Sequence, residues 1–253
     1  MPDISPALDI RSRSHPTGTG PVSRRAPVRV LVIEDHTLFA ESLELVLQLE
    51  GYAVERMAVP PQRVPAQALV SKALRARASI VLLDLSLGGF GDSTALIRPL
   101  AAAGAHVVVV TASTNRAQWG ECLYLGARTV LSKGGPLSGI LSTVRRITNG
   151  FPVLPVAERE AMIDLWREAR AEHAAQHERL NLLTHREAVV LGELMFGKTV
   201  SDIARESVVS EATVRTQVKA ILAKLGVSSQ LAAVGLANQA GWRAPQTRLL
   251  GTA

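Results

Sequence analysis

Five residues in the first half of the chain have the types that handle phosphate: Glu34, Asp35, Asp84, Thr111 and Lys133. Carboxylates brought together repel one another unless they share a cation, and Mg2+ is the natural hard partner for oxygen donors. A carboxylate held beside Mg2+ can attack phosphorus and form an acyl phosphate. An ammonium and a hydroxyl can then stabilise the phosphoryl oxygens. Taken singly, each residue has a plainer reading. A lone aspartate at a strand end is a turn former or helix cap, Thr111 caps the next helix, and Lys133 is a solvated charge. A second stretch competes for phosphate chemistry. GELMFGKT, residues 192–199, fits G-x-x-x-x-G-K-[ST], the pattern of a nucleotide phosphate loop.

The elements that would position the first set alternate along the chain. VRVLVI (28–33) is a short β-branched run, as expected of a strand buried on both faces. LFAESLELVLQLEG follows, with Leu38, Leu43, Val46, Leu47 and Leu49 suited to a helix packed on a sheet and Gly51 ending it. AVERMAV reads as a second strand and AQALVSKALRARA as a helix. SIVLLDL (79–85) is a third strand, closing into the loop GGFGDS. STALIRPLAAAGA is a helix that Pro99 shortens or kinks. HVVVVTAS (106–113) is a fourth strand, RAQWGECLYLGA a helix, RTVLSK a fifth strand and LSGILSTVRRITNG a fifth helix. Five strands alternating with five helices predict an open, mainly parallel α/β sheet. In such a sheet functional side chains gather at the C-terminal ends of the strands. Glu34 and Asp35 follow the first strand, Asp84 lies near the end of the third, Thr111 of the fourth and Lys133 of the fifth. All five therefore meet on one rim, and this convergence favours a phosphoacceptor over five separate plain readings.

Residues 156–181, rich in Ala, Glu and Arg with sparse apolar positions, predict a charged helical linker, either a solvated spacer or part of a dimer contact. Residues 182–242 read as all helical. Thr184 and Glu187 form a capping box, and Val189, Val190 and Leu194 then recur at helical spacing. Gly192 therefore falls inside a helix. No strand precedes GELMFGKT, so the phosphate-loop reading fails on context. The same residues fit a helix, a turn at Gly197, a short helix over 201–206, a turn through 208–210, and the helix EATVRTQVKAILAKLG. Ser210 caps this last helix and Gly226 ends it. Val214, Val218, Ile221, Leu222 and Leu225 form its buried stripe, with Arg215, Thr216 and Lys219 on the opposite face. That is a helix-turn-helix whose second helix can enter a major groove. Arg or Lys there reads guanine edges or grips phosphates.

Composition bounds the partners. A net charge of +6 favours a polyanion, while an aromatic content of 4% argues against a base-stacking platform for single strands. A single cysteine, Cys122, excludes a disulfide framework and a Cys-based zinc site, which points to the cytoplasm. No apolar run reaches the length of a membrane span, and the arginines near the start lack the apolar segment of a secretory signal. Residues 1–27 read as a disordered tail and 243–253 as a frayed one.

Two sets of stretches carry resemblances. VLVIEDHTLFAESL, VLLDL, VVVTAS and LSK, within residues 28–150, resemble the receiver domain of bacterial two-component response regulators. LTHRE, GKTVSDIA, SEATVRTQVKAILAKLGV and the final AAV, within 182–242, resemble the LuxR/NarL-type DNA-binding domain. The resemblance implies a flavodoxin-like, doubly wound, five-stranded receiver, a linker over 151–181 and an all-α helix-turn-helix domain. It implies that Asp84 takes phosphate from a sensor histidine kinase. Glu34, Asp35, Asp84 and the backbone carbonyl of Ser86 would hold Mg2+, and Thr111 and Lys133 would stabilise the phosphoryl group. On double-stranded DNA, base contacts would come from Arg215, Thr216 and Lys219, and phosphate contacts from Lys224, Thr213 and Gln217. SQLAAVGLANQAGW would be a fourth helix pairing two subunits of a homodimer. The chain would be a cytoplasmic transcription regulator, catalysing only its own phosphorylation and dephosphorylation. It departs from the family pattern at Gly88, where Pro is usual, and at Val130, where an aromatic switch residue is common. Gln217, Ala220 and Gln230 stand where His, Asn and Arg are common. The alternative is a receiver serving as a phosphorylation-independent dimerisation or ligand-sensing module.

Overall fold

Alternation along the central strands sorts the first half of the chain into two cores. A computed structural model describes residues 26–60, 62 and 64–245; most of the two expected tails lies outside them. The strands are β1 (Arg29–Ile33), β2 (Ala53–Arg56), β3 (Ile80–Asp84), β4 (Ser86–Leu87), β5 (Gly91–Asp92), β6 (His106–Thr111) and β7 (Thr129–Ser132). Five of them form one sheet in the order β2-β1-β3-β6-β7, every pair parallel. β4 and β5 make a small antiparallel hairpin inside the loop expected after the third strand.

Leu31, Ile33, Val81, Leu83, Val107 and Val109 point into one core; Val30, Val32, Ile80, Leu82, Val108 and Val110 point into the other. This period of two is what a pleated strand imposes. Helices cover both faces, so every position is apolar, as the continuous Val/Ile/Leu runs require. The second core is closed by α1 (Thr37–Leu49) and the first by α2 (Ala66–Arg75), α3 (Thr94–Ala102) and α4 (Arg116–Tyr124), while α5 (Leu137–Thr148) packs beside α1. Each fully buried Leu, Ile or Val side chain contributes about 1.5–3 kcal/mol.

Two expectations need correction. In α1, Leu43, Leu47 and Ala40 pack on the sheet, but Leu38 and Leu49 are 81% and 79% exposed. At 3.6 residues per turn these two fall on the side away from Leu43 and Leu47. The second strand is also shorter than AVERMAV, because β2 is an edge strand that leaves the sheet after Arg56. Pro99 lies within α3, which ends three residues later at Ala102.

After the sheet, α6 (Val156–Asn181) runs for 26 residues. It leads into α7 (His185–Met195), α8 (Val200–Glu206), α9 (Glu211–Leu225) and α10 (Gln230–Gln239). Leu191, Ile203, Val214, Ile221, Leu225 and Ala237 are among the residues of their shared core. The capping box at Thr184 and Glu187 is present, and Gly192 sits within α7. Gly197 turns the chain at φ +82°, and Thr199 caps α8 with Asp202. Lys198 pairs with Glu193 of α7 and Glu206 of α8, and these two carboxylates raise its pKa to about 12. GELMFGKT therefore ends one helix and starts the next, and its lysine ties the two together. No single helix among the described residues is long and apolar enough to cross a membrane.

The turn between α8 and α9 carries strain. Val208 has φ +54° and is 90% exposed. A β-branched side chain is poorly tolerated there, and no burial offsets the cost. Val208→Asn, which suits left-handed backbone, is expected to stabilise the helical domain by about 1 kcal/mol. Denaturant unfolding checks it; a loss of stability would show that the valine packs usefully.

Candidate phosphoacceptor and DNA-binding sites

In a doubly wound sheet the order of strands reverses at one point, and the crevice there opens beyond the strand ends. Here the reversal lies between β1 and β3, where Glu34, Asp35 and Asp84 emerge. Glu34, Asp84 and Thr111 are buried, at 9%, 3% and 2% exposure. Lys133 is drawn to the rim because its N–H continues the β6–β7 pairing by donating to the Thr111 carbonyl at 2.8 Å. Its Nζ lies 2.9 Å from Asp84 Oδ2 and 2.7 Å from Glu34 Oε2. Asp84 Oδ1 accepts from the Ser86 N–H at 3.2 Å. A cleft of about 550 Å³ opens over these groups, with Ser86, Ser113 and Gln118 in its wall. Ser86 is thus beside the cleft, and all five chemistry-bearing residues converge.

One oxygen each from Glu34, Asp35 and Asp84, with a ring nitrogen of His36, lie within 4.8 Å of one another. A set dominated by carboxylate oxygens fits a hard divalent cation. Sequence reasoning missed His36; the one signal for it is that it directly follows the acidic pair. Its Nδ1 sits 2.9 Å from Glu34 Oε1 while the ring is largely exposed.

Gly88 has a local reason. Its N–H donates to Asp35 Oδ2 at 2.8 Å, and a Cβ added there would lie 2.8 Å from the same oxygen. Proline lacks the N–H and carries that carbon, so Pro at this position would break the hydrogen bond holding Asp35. Val130 is buried in the core shared with β3 and α4. Cys122 is fully buried and its thiol is pushed up to about 12 by burial, which leaves it inert.

Burial pushes the Asp84 carboxyl above the ordinary carboxylate range; Lys133 and the Ser86 N–H pull it back, and Glu34 adds to the rise. Burial also opposes the charge on Lys133, but Glu34 and Asp84 outweigh it and leave its pKa raised. Lys133 is therefore the cation that lets two buried carboxylates coexist. Lys133→Ala is expected to destabilise the first domain by about 3 kcal/mol at neutral pH, the cost of leaving buried charge unpaired. Without the ammonium, Asp84 rises further above its unfolded value. A folded state that holds a proton more tightly gains stability as pH falls, so the deficit should shrink in acid. Urea unfolding at several pH values tests this; a deficit independent of pH would contradict it.

On α9, Arg215, Thr216 and Lys219 share an open face. Ser210 caps the helix and Gly226 ends it at φ +68°. Arg215 makes an exposed i,i+4 pair with Glu211 at 2.8 Å, and the Thr216 hydroxyl donates to the Ala212 carbonyl at 3.0 Å. Lys219 is exposed. Thr213 lies 2.9 Å from the Ser210 hydroxyl, and Gln217 is half-buried. Lys224 is engaged internally: its Nζ sits 2.7 Å from Glu187 Oε2, an oxygen that also accepts from the Thr184 N–H at 2.7 Å. The capping box was legible in sequence, whereas this partner 37 residues further on was not.

Comparison with known proteins gives a family for each of the two regions. The response regulator receiver domain family matches residues 30–145, and the LuxR family of bacterial regulatory proteins matches 181–237. Together they cover well over half the chain. The glycerol metabolism activator of Pseudomonas putida is 28% identical, over 81% of this chain and 93% of that protein. The nitrate/nitrite response regulator NarP of Escherichia coli is 27% identical, over 82% and 93%. The structure of the RcsB response regulator of Salmonella typhimurium aligns with a TM-score of 0.44 at 21% identity, over 84% of this chain and 98% of that one. With a parallel five-stranded sheet bearing an acidic rim, followed by a helix-turn-helix, the chain belongs to the response regulators that join a receiver to a LuxR-type DNA-binding domain.

Proposed function

We propose that this regulator is switched by phosphorylation of Asp84. The receiver spans 28–150, the linker 151–181 and the DNA-binding domain 182–242. The observation that carries the reading is the Asp84 carboxylate, buried at the cleft floor with Lys133 Nζ at 2.9 Å and two further carboxylates within reach of one cation. Glu34, Asp35, Asp84 and the Ser86 carbonyl would hold Mg2+, which when bound supplies positive charge against the phosphoryl oxygens. Asp84 attacks the phosphorus of a phosphohistidine on a sensor kinase. A P–O bond forms, the P–N bond breaks, and the imidazole leaves. Lys133 stays beside the reacting oxygens, and the Thr111 hydroxyl donates to the phosphoryl group. Apart from this transfer and the hydrolysis of the acyl phosphate, in which water takes the phosphoryl group and frees the Asp84 carboxylate, the chain acts on no substrate. It works in the cytoplasm as a homodimer on duplex DNA, Arg215, Thr216 and Lys219 facing the bases, with Thr213 and Gln217 near the backbone and Lys224 held by Glu187.

The test is duplex binding by the full chain with and without Mg2+ and acetyl phosphate, with phosphoryl uptake followed by mass. Affinity for promoter fragments of its own genome is expected to rise on the order of tenfold, within the usual range of coupling, and chelation should abolish the rise. Equal affinity at verified phosphorylation would favour the phosphorylation-independent receiver instead.

A further inference from the structure

We propose that His173 and His177, in the second half of α6, are half of a transition-metal site that a second copy of the chain completes with the same pair. Phosphorylation of Asp84 is not required for it.

The two residues stand four apart in HAAQH (173–177). On a helix that spacing puts both imidazoles on one face, one turn apart. It is also the spacing at which helical histidines chelate zinc. The two rings meet edge to face with centroids 4.6 Å apart. Nitrogens bound to one tetrahedral zinc ion lie about 3.3 Å apart, from bonds of about 2.0–2.1 Å, and ring edges at this separation reach that spacing by side-chain rotation. Imidazole suits Zn2+, Ni2+ or Cu2+, whereas carboxylate oxygens suit Mg2+. The pair therefore differs in chemistry from the acidic rim of the first domain.

Its place on α6 is open. At 3.6 residues per turn, Met162, Trp166, His173, His177 and Leu180 share one stripe of the helix. Met162 is buried in the receiver core, where α6 lies against α4. A Cβ on Gly120 of α4 would overlap the Met162 carbonyl, and Arg159 donates to the carbonyls of Leu123 and Ala127 at 2.8 and 2.9 Å. Leu180 is buried in the helix-turn-helix core. Between these anchors the stripe leaves both cores: His173 is exposed and His177 half-buried. Histidines that only filled a core would be covered.

One chain does not complete the coordination. A turn away on either side stand Ala169, Arg170, Leu180 and Asn181, none of them an imidazole, thiolate or carboxylate. Among the described residues, the only group of three or more metal-ligating side chains is the acidic rim. A closed zinc site has four ligands, so two must come from outside the chain. A twofold axis through the ion supplies an identical pair, as facing helices do in metal-binding bundles. The surface suits a second α6. Residues 167–179 carry three Arg and three Glu, so two copies bring no net charge against each other. Ala169, Ala174 and Ala175 flank the histidines, and small side chains let helix axes approach. Only residues 182–184 separate α6 from α7. An ion held there keeps two helix-turn-helix domains close and raises their effective concentration for paired half-sites.

The test uses the full chain, stripped of metal by a chelator and then held in excess Mg2+ so that the acidic rim is filled. Co2+ is the probe, because a tetrahedral nitrogen site absorbs strongly in the visible and an octahedral oxygen site weakly. The strong band is expected to saturate at one Co2+ per two chains, and Zn2+ should displace it. Sedimentation should show the dimer association constant raised about a hundredfold when Zn2+ stands a hundredfold above its dissociation constant. His173→Ala and His177→Ala should each lose the band and the metal-dependent dimer. Far-ultraviolet circular dichroism should match the parent, since alanine favours helix. Glu172→Ala, one residue away on another face, should behave as the parent. No strong band in the parent, a band that survives in both histidine variants, or saturation at one ion per chain without a dimer overturns the shared site.

Discussion

Asp84→Asn is expected to take up no phosphoryl group from acetyl phosphate and Mg2+ under conditions in which the parent chain takes up one. An amide oxygen is too weak a nucleophile to form the acyl phosphate, so the rate should fall by more than about a hundredfold. The loss should not come from misfolding. Asp84 is buried and its carboxyl sits above the ordinary range because burial disfavours its charge. Asparagine has the same shape without that charge, and Lys133 retains Glu34 at 2.7 Å. Circular dichroism and unfolding should therefore match the parent within about 1 kcal/mol, while intact mass shows the missing phosphate. Phosphoryl uptake by the variant would remove Asp84 from its role.

Arg215→Ala and Lys219→Ala should each weaken duplex binding by about 1–3 kcal/mol, roughly ten- to a hundredfold. Each truncation takes a hydrogen-bond donor away from a base edge, so sequence preference should relax at a different base pair in each variant. Lys224→Ala supplies the contrast. Its ammonium already serves Glu187 at 2.7 Å, joining α9 to the start of α7, so its removal should cost stability of about 1–2 kcal/mol and little affinity. Burial works to raise the Glu187 pKa, but Lys224 and Thr184 outweigh it and leave it depressed. Stability from a depressed carboxylate is present above the unfolded pKa and lost as pH falls through the folded one. The deficit of Lys224→Ala should therefore shrink in acid. Binding titrations on duplexes with single base-pair changes, beside unfolding curves, separate the three variants. A Lys224 variant with full stability and lost affinity would return that residue to the DNA backbone.

The rim of Glu34, Asp35, Asp84, Thr111 and Lys133 was legible because strand ends are legible. A run such as SIVLLDL announces a buried strand, and the sheet rule then places its last polar residue on a known edge. The recognition helix was legible for a similar reason: caps at Ser210 and Gly226 fix its length, and its period assigns the faces. Leu38 and Leu49 were misjudged because apolar residues on a helix do not reveal which of two arcs meets the sheet. Gly88 stood out in sequence only as a departure from the usual Pro, yet its N–H holds Asp35 from 53 residues away.

The sequence by itself determined the alternation of strands and helices, the acidic rim and the helix-turn-helix, since each depends on local period, caps and strand-end position. It also disposed of GELMFGKT as a phosphate cradle, because no strand precedes it. Tertiary structure alone decided which cation serves which anion: Lys198 between Glu193 and Glu206, Lys224 on Glu187, Lys133 between Glu34 and Asp84. It also decided that α6 is clamped to α4 through Gly120 and Arg159. A charge or a glycine looks the same in sequence whether solvated or engaged, since its partner is chosen by packing between segments far apart in the chain.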